Sequence, residues 1–541
     1  MSMDWRMVLL LWAITFCGFL TRSLPDEWYD DPGLFKFYAV LVMRAAFRFN
    51  FLGPPNTSQG KKKMATALLL LLLLLGPSEA IPVHNHRYHY YPIGVNYGQL
   101  GNNLPVPLKS VELIRQLKLG RVKIYDANPS ILSALANTSV KVTVMVPNQQ
   151  IPSVASSQSF ADEWVKSNVT AYYPFTRIRT VLIGNEILSD FSIRQSTWPK
   201  LVPAMKNIHR SLAKLGLHRK IKVSTPHALL NVLQGYVFPP SNGTFRDDIA
   251  EPIIRPMLEF LHSTNSPFFV DAYPFFTWEF NRATVPINFA LFNGSGTPYR
   301  DPGNGLVYDN LLDIQLDSIT AAMAKLGHES VKLGLAETGW PTKGGIDERG
   351  ANFYNAALYN RRLAKKLATK PPLGTPKRPH QQIPAFIFAL FNENLKPGPV
   401  TERNWGLFAI ADNGSTAIQK YEIDLTGRLS DGDYKPMALP PPEPLPGTAK
   451  IWCVANQSAS TSQLQGGIDF ACGPGGVNCS LITDPGQPCF LPNTTISHAS
   501  IVFNAYYFLQ RTNGGSCVFN GAAFLTSSDP SVLHASVKEL H

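Results

Sequence analysis

From residue 92 onward, short apolar runs alternate with stretches whose apolar residues recur every three or four positions. The runs fall at 93–97, 122–126, 142–146, 181–186, 221–224, 268–273, 333–337 and 385–391, and are dominated by Val, Ile, Leu and Phe. Their length and β-branched content predict buried strands. The stretches at 108–119, 160–169, 198–215, 249–262, 311–326 and 351–368 carry the helical period and predict amphipathic helices. Eight strands mostly separated by helices over about 330 residues predict an α/β fold, a (β/α)8 TIM barrel. The competing arrangement, an open doubly wound sheet, ordinarily carries a G-x-G-x-x-G phosphate turn after its first strand. Tyr97-Gly98-Gln99-Leu100-Gly101 does not fit that pattern.

The periodic pattern lapses twice. Residues 275–310 are rich in Gly, Pro, Phe and Asn, which predicts a long loop elaborating one end of the barrel. After Gly427 the chain turns polar and reaches Leu439-Pro440-Pro441-Pro442-Glu443-Pro444-Leu445-Pro446-Gly447, a stiff extended linker. Beyond it Cys453, Cys472, Cys479, Cys489 and Cys517 crowd together, while the sixth cysteine, Cys17, lies far upstream. A cysteine-free body followed by a cysteine-dense tail predicts a self-sufficient barrel plus a small disulfide-stapled module in an oxidising compartment. The expected division is 91–428 for the barrel, 429–451 for the linker, 452–531 for the module and 532–541 for an atypical tail.

The start of the chain reads as processing rather than fold. Lys61-Lys62-Lys63 precedes a leucine run to Leu75 and the small-residue segment Gly76-Pro77-Ser78-Glu79-Ala80, the order of a secretory signal peptide. The apolar run is shorter than the roughly 20 residues of a membrane span. Residues 64–80 are therefore expected to be a signal peptide, Met64 the true start, and 1–63 a non-native extension. The rival is a genuine extension in which 8–20 serves as signal or anchor. Sequons at Asn137, Asn168, Asn242, Asn293, Asn413, Asn456, Asn478 and Asn493 fit a secreted glycoprotein. The C-terminus gives no lipid-anchor signal.

Composition narrows the function classes. The 541 residues are 45% hydrophobic and 11% aromatic, ample for a large core. A net charge of +11 is spread along the chain, suiting an acidic extracellular matrix, and no basic stripe interleaved with aromatics suggests nucleic acid. The tract His84-Asn85-His86-Arg87-Tyr88-His89 is the one grouping that resembles metal ligands, and near a mature N-terminus it is not expected to form a closed site. No metal or cofactor is expected.

Two acids stand out. Glu186 closes Val181-Leu182-Ile183-Gly184-Asn185-Glu186, and Glu337 ends an apolar run before Thr338-Gly339-Trp340-Pro341. Active sites of such barrels gather at the C-terminal ends of the strands, where Tyr97, Tyr125, Asp126, Tyr273, Asn392 and Glu393 are also placed. Two carboxyls on separate strands facing one cleft suit glycoside hydrolysis: Glu186 as general acid/base and Glu337 as nucleophile. The plainer reading makes each Glu a helix cap or a lysine partner.

The run Leu335-Ala336-Glu337-Thr338-Gly339-Trp340-Pro341-Thr342 resembles the signature of glycoside hydrolase family 17, the plant β-1,3-glucanases. Gly184-Asn185-Glu186, Phe391-Asn392-Glu393-Asn394-Leu395-Lys396, Val95-Asn96-Tyr97-Gly98 and Ile124-Tyr125-Asp126-Ala127-Asn128 match further motifs of that family. The likeness spans about Ile93 to Gly427. It implies a (β/α)8 barrel, hydrolysis with retention, and glutamates after strands four and seven. Asn185 is then expected to bond the sugar 2-hydroxyl, and Glu393, Lys396 and Glu402 to form a charged network beside the pair. Tyr97, Tyr125, Tyr273, Phe276 and Trp340 are expected to contact glucosyl rings, with core packing as the alternative for each aromatic.

The tail resembles carbohydrate-binding module family 43 through Trp452-Cys453-Val454-Ala455, Ala471-Cys472-Gly473, Cys479, Cys489, Asn504-Ala505-Tyr506-Tyr507 and Gly515-Ser516-Cys517-Val518-Phe519. The family's pairing implies Cys453–Cys517 and Cys479–Cys489. The sixth cysteine, expected beyond Ser531, is not in this chain, which would leave Cys472 without its partner. Together the resemblances imply a secreted, monomeric, wall-directed endo-β-1,3-glucanase acting on callose or a related glucan, without nucleic-acid or membrane partners. The alternatives are a non-catalytic glucan-binding protein and a glucanosyltransferase.

Overall fold

The computed structural model describes residues 93–530 except 236, 295–297, 347, 412–415, 441–450, 512–514 and 528–529. The expectations for 1–63, 64–80, the histidine tract, the proline-rich core of the linker and the tail at 532–541 lie outside the described residues.

The strand order closes a cylinder of eight parallel staves: Ile93–Tyr97, Arg121–Ile124, Lys141–Val146, Arg177–Ile183, Lys222–Ser224 with Pro226–Ala228, Phe268–Asp271, Leu333–Thr338 and Ala385–Ile387. The fifth stave is broken at Thr225. Its first half pairs with the fourth (Val181 with Val223) and its second half with the sixth (His227 with Val270), so the break carries the closure. Helices Pro107–Gln116, Leu201–Lys214, Arg255–Thr264, Leu311–Lys325 and Phe353–Ala368 cover the outside. The segment expected to be one long loop instead contains helices Pro274–Phe280 and Ile287–Ala290 and the hairpin Tyr299–Arg300/Val307–Tyr308. Its mixed Phe/Pro/Gly content hides elements too short to show a period.

Alternation along the staves separates two cores. Val122, Ile124, Val181, Ile183, Phe268, Val270, Leu333, Leu335, Ala385 and Ile387 face the helices, whereas Met145, Leu182, Phe269, Ala336 and Phe386 fill the bore. The bore is narrow, and two staves present glycine to a phenylalanine. A Cβ on Gly334 would meet the Phe269 ring at 2.5 Å, and one on Gly94 would meet Phe386 at 2.6 Å. Small residues opposite large ones are how an eight-stranded barrel fills its interior. Gly334→Ala should therefore overpack the bore and cost about 1–3 kcal/mol, read as a lower unfolding midpoint. An unchanged midpoint would show that the bore tolerates another methyl.

The seventh stave breaks its own alternation. Leu335 pairs with Val270, but two residues later Glu337 pairs with Asp271, one residue on, and the register with the eighth stave shifts over the same interval. This extra residue is a bulge. Ala336 faces the bore, Glu337 also turns inward to the mouth, and Thr338 faces outward to meet the Tyr359 hydroxyl at 2.6 Å.

The module has its own small core, built from Trp452, Leu464, Ile468, Val502, Phe503 and Tyr507 among others. Strand Trp452–Ala455 runs antiparallel to Ala523–Thr526, and helices Thr461–Cys472 and Thr495–Gln510 pack together. Cys453 is bridged to Cys517. The implied Cys479–Cys489 bridge is replaced by Cys472–Cys479, with Cα atoms 5.7 Å apart, while Cys489 is buried. The reason is local. Gly473-Pro474-Gly475-Gly476 folds the chain back at the helix end, Gly475 N–H bonding Phe470 O and Val477 N–H bonding Ala471 O, which returns Cys479 to Cys472.

Candidate active site

The bulge delivers Glu337 into a buried nest of donors. Its Oε1 accepts from Lys123 Nζ at 2.7 Å and from the Tyr125 hydroxyl at 2.6 Å, and its Oε2 accepts from the Tyr273 hydroxyl at 2.5 Å. Lys123 and Tyr125 alternate inward from the second stave, and Tyr273 follows the sixth. Burial pushes the Glu337 carboxyl up, but the Lys123 charge and the three hydrogen bonds outweigh it and hold the group below the usual carboxylate range. It stays ionised, a carboxylate fixed in place.

Glu186 reaches the same point by backbone strain. Gly184 has φ +68° and Glu186 has φ 49°, ψ 36°, the left-handed region that a glutamate rarely occupies. Such outliers persist where the surroundings impose them and mark functional positions. The Glu186 N–H bonds Pro226 O beside the break in the fifth stave. One carboxyl oxygen from each of Glu186, Glu337 and Asp271 lies within 4.8 Å of the other two. Burial first, and then the charge of Glu337, pushes the Glu186 carboxyl up to about 7. Two acids with opposite perturbations in one cavity are the signature of an acid and a base with separate tasks.

The cavity holds about 230 Å³ and is lined by both glutamates, Asp271, Leu230, Asn231, Tyr273, Phe276, Phe388, Lys396, Glu402 and Trp405. One wall is aromatic: Trp405 lies 4.9 Å from Tyr273 and 5.7 Å from Phe276, ring centre to ring centre. The opposite polarity comes from Lys396, which pairs with Glu402 at 2.9 Å and sits 4.2 Å over the Phe388 ring. Glu393 is buried beneath, accepting the Leu100 N–H at 2.8 Å, and burial raises its carboxyl above the ordinary value. Asn185 accepts from Lys123 Nζ at 3.3 Å, and its N–H donates to Asn148 Oδ1 at 2.8 Å.

Thus Glu186, Glu337, Asn185, Tyr125, Tyr273, Phe276, Lys396, Glu402 and, just below, Glu393 converge. Tyr97 and Trp340 do not. Tyr97 shares the outward parity of Ile93 and Val95, and its hydroxyl donates to Ser110 Oγ on the covering helix at 2.9 Å. Trp340 is fully buried behind the seventh stave, its Nε1 donating to Gly350 O at 2.8 Å among Phe275, Trp278 and Tyr359. Both are core aromatics.

Lys123, Asp271 and Trp405 complete the site without having been singled out in the sequence. Asp271 carried the same signal as the two glutamates, since it ends the apolar run Phe268-Phe269-Val270. Lys123 is a lysine inside Val122-Lys123-Ile124, in the inward register of a buried strand, where a charge needs a partner. Trp405 lies past the last stave, where no periodicity pointed to the cleft.

Comparison with known proteins supplies independent findings. The sequence model described as "Glycosyl hydrolases family 17" matches residues 93–425, and that of the "X8 domain" matches 451–524. A probable glucan endo-1,3-beta-glucosidase, A6, of Arabidopsis thaliana is 45% identical over 438 residues, covering 81% of this chain and 89% of the relative. A glucan endo-1,3-beta-D-glucosidase of Olea europaea is 36% identical over 439 residues, covering 81% and 91%. Among solved structures, a β-1,3-glucanase and allergen of Cryptomeria japonica pollen superposes with a TM-score of 0.57 at 39% identity, covering 62% of this chain and 99% of that one.

Proposed function

The chain belongs to glycosyl hydrolase family 17, and on that premise we propose that it hydrolyses internal β-1,3-glucosidic bonds of a glucan with retention of anomeric configuration. The supporting observation is the pair of carboxyls with oxygens within 4.8 Å, one held ionised and the other protonated to about 7. That spacing favours the closer of the two known carboxyl arrangements. Retaining glycosidases hold their carboxyls about 5–5.5 Å apart, inverting ones about 6.5–9.5 Å.

Glu186 gives its proton to the glycosidic oxygen as the bond to the anomeric carbon breaks. Glu337 attacks that carbon from the opposite face, and an α-linked glucosyl ester forms. Its attacking oxygen loses charge as its electron pair forms the bond to the electron-poor anomeric carbon, and Lys123, Tyr125 and Tyr273 keep it aimed while it does so. Ionised Glu186 then takes a proton from water, whose oxygen displaces Glu337 and restores the β configuration. The aromatic wall of Tyr273, Phe276 and Trp405 offers faces to pyranose C–H groups, and the family likeness assigns Asn185, next to Glu186, to the sugar 2-hydroxyl.

The remaining assignments belong to the same reading. The barrel at 91–428 is the catalytic part, and the module at 452–531 grips β-1,3-glucan through its own fold. The leader at 64–80, the sequons and the disulfides suit a secreted, glycosylated wall enzyme acting on callose as a monomer. Among the described residues, no helix is long and apolar enough to cross a membrane.

The deciding experiment follows laminarin digestion by the mature protein with proton NMR. The first reducing ends released should be β-anomers, with the α form appearing only by later mutarotation. If α-anomers appear first, the two-step mechanism is wrong. If no reducing ends form while laminarin still binds, the chain is a glucan-binding protein.

A further inference from the structure

Asp271 is an acid of the cavity that the double displacement leaves without a task and that, unlike Glu402, has no cationic partner within salt-bridge distance among the described residues. It is 2% exposed, at the C-terminal end of the sixth stave. Among the described residues neither of its carboxyl oxygens accepts a hydrogen bond from an N–H or hydroxyl group. That contrasts with Glu337, an equally buried neighbour with three donors. Among the donors of the cluster, the Tyr125 and Tyr273 hydroxyls go to Glu337, Lys123 goes to Glu337 and Asn185, and Lys396 is paired with Glu402. An ionised carboxylate without donors in such a place is costly, and two more carboxyls lie within 4.8 Å. Only the neutral acid relieves both penalties, and as an acid it has an O–H to give.

We propose that Asp271 remains protonated through the reaction and donates its hydrogen bond to the carboxylate of Glu186, making it a positioning residue for the acid/base. The inference rests on the assignment of Glu186 in the proposed function. Burial, and then the charge of Glu337, both push the Asp271 carboxyl well above the usual carboxylate range, in keeping with this geometry. A protonated neighbour suits a group that must alternate. Asp271 can accept from Glu186 while that residue is an acid and donate to it once the proton has left. The nearby charge of Lys123 is already engaged by Glu337, so Asp271 is the near donor for ionised Glu186.

The test measures kcat/KM on laminarin against pH for the full-length parent, Asp271→Asn and Asp271→Leu. The amide retains an N–H donor without charge, so Asp271→Asn should keep its rate within a few fold and its alkaline limb in place. Leucine fills the space without a donor. Asp271→Leu should lose about ten- to a hundredfold, the scale of a hydrogen bond to a charged group, and its alkaline limb should move up by about one unit. If Asp271 is instead an anion repelling Glu186, Asp271→Asn will move the limb down by a unit or more, which overturns the proposal. A loss in Asp271→Leu with the limb unmoved also overturns it, since packing alone would then explain the loss. Should the leucine variant not fold, the asparagine profile decides by itself. A parent that does not hydrolyse laminarin would sink the assignment of Glu186, a separate result from any shift in the variants.

Discussion

Glu337→Gln should lower kcat on laminarin by about 10^4-fold or more, with KM changed by only a few fold, as expected for a group that forms the covalent intermediate. The amide is nearly isosteric: its oxygen can still accept from Lys123 and Tyr125, while its NH2 replaces the other carboxylate oxygen and donates to the Tyr273 hydroxyl instead of accepting from it. Folding and ground-state binding should therefore survive while the nucleophile is gone. The secondary effect has a sign of its own. The charge of Glu337 is the second cause, after burial, that pushes Glu186 up to about 7. Without that charge the alkaline limb of any residual activity should move to lower pH. Azide added to Glu337→Ala should enter the vacated space, attack the anomeric carbon with an activated β-glucosyl donor, and yield the α-glucosyl azide with the leaving group expelled. Retention of full activity by Glu337→Gln, or a β-azide from Glu337→Ala, would remove Glu337 from the nucleophile's role.

How far the sequence reaches is seen by following single side chains. The eight staves were legible because each is an apolar run flanked by helical periods, and Glu186 because an acid that closes such a run has few structural reasons to be there. Glu337 is a different case. Simple alternation would place it with Leu333 and Leu335 against the helices, and only the bulge turns it into the cleft. No period in the sequence announces that extra residue, so its direction came from the motif around it rather than from pattern. Tyr97 fails for the complementary reason: alternation without a bulge puts it outward, with Val95, against Ser110. Trp340 sits just past the bulge, where position along the chain says nothing about facing.

The polar interior was the least legible layer. Lys123 and Glu337 are 214 positions apart, with Glu186 and Asp271 between them in the chain, and what makes them one site is mutual desolvation. Each alone would be an implausible buried charge. Together they divide into an ion pair (Lys123 with Glu337 at 2.7 Å) and two carboxyls pushed toward neutrality. The cost of this arrangement falls on stability, since buried acids are forced to hold protons at a pH where the unfolded chain has released them. Active sites are where such local conflicts are expected. The module's cysteines show the same limit in covalent form. The family's pairing implied Cys479–Cys489, whereas the short glycine-rich turn after the helix end brings Cys472 to Cys479 instead.

Glu186→Gln should lower kcat/KM on laminarin by about 10^2–10^4-fold, the usual worth of a positioned general acid. The loss should shrink when the leaving group needs no proton, as with a dinitrophenyl β-glucoside of the same chain length, because Glu337 can still displace it. The covalent intermediate should then accumulate, and azide should release it from Glu186→Ala as the β-glucosyl azide. The pH profile carries the sharper sign. Glu186 is held protonated until about 7, so the parent's activity should fall as pH rises through that value, and the glutamine variant should lose this limb. Stability must follow the same group. A carboxyl whose folded value lies above its unfolded one makes the folded state bind more protons across the window between them, so its contribution falls as pH rises from the ordinary carboxylate range to about 7. Glutamine has no such dependence. The unfolding midpoint of Glu186→Gln relative to the parent should therefore rise across that window and level off above it. If the alkaline limb persists near 7 in the variant and the midpoint difference stays flat with pH, the proton that Glu186 is assigned belongs to another group, and Asp271 is the first to examine.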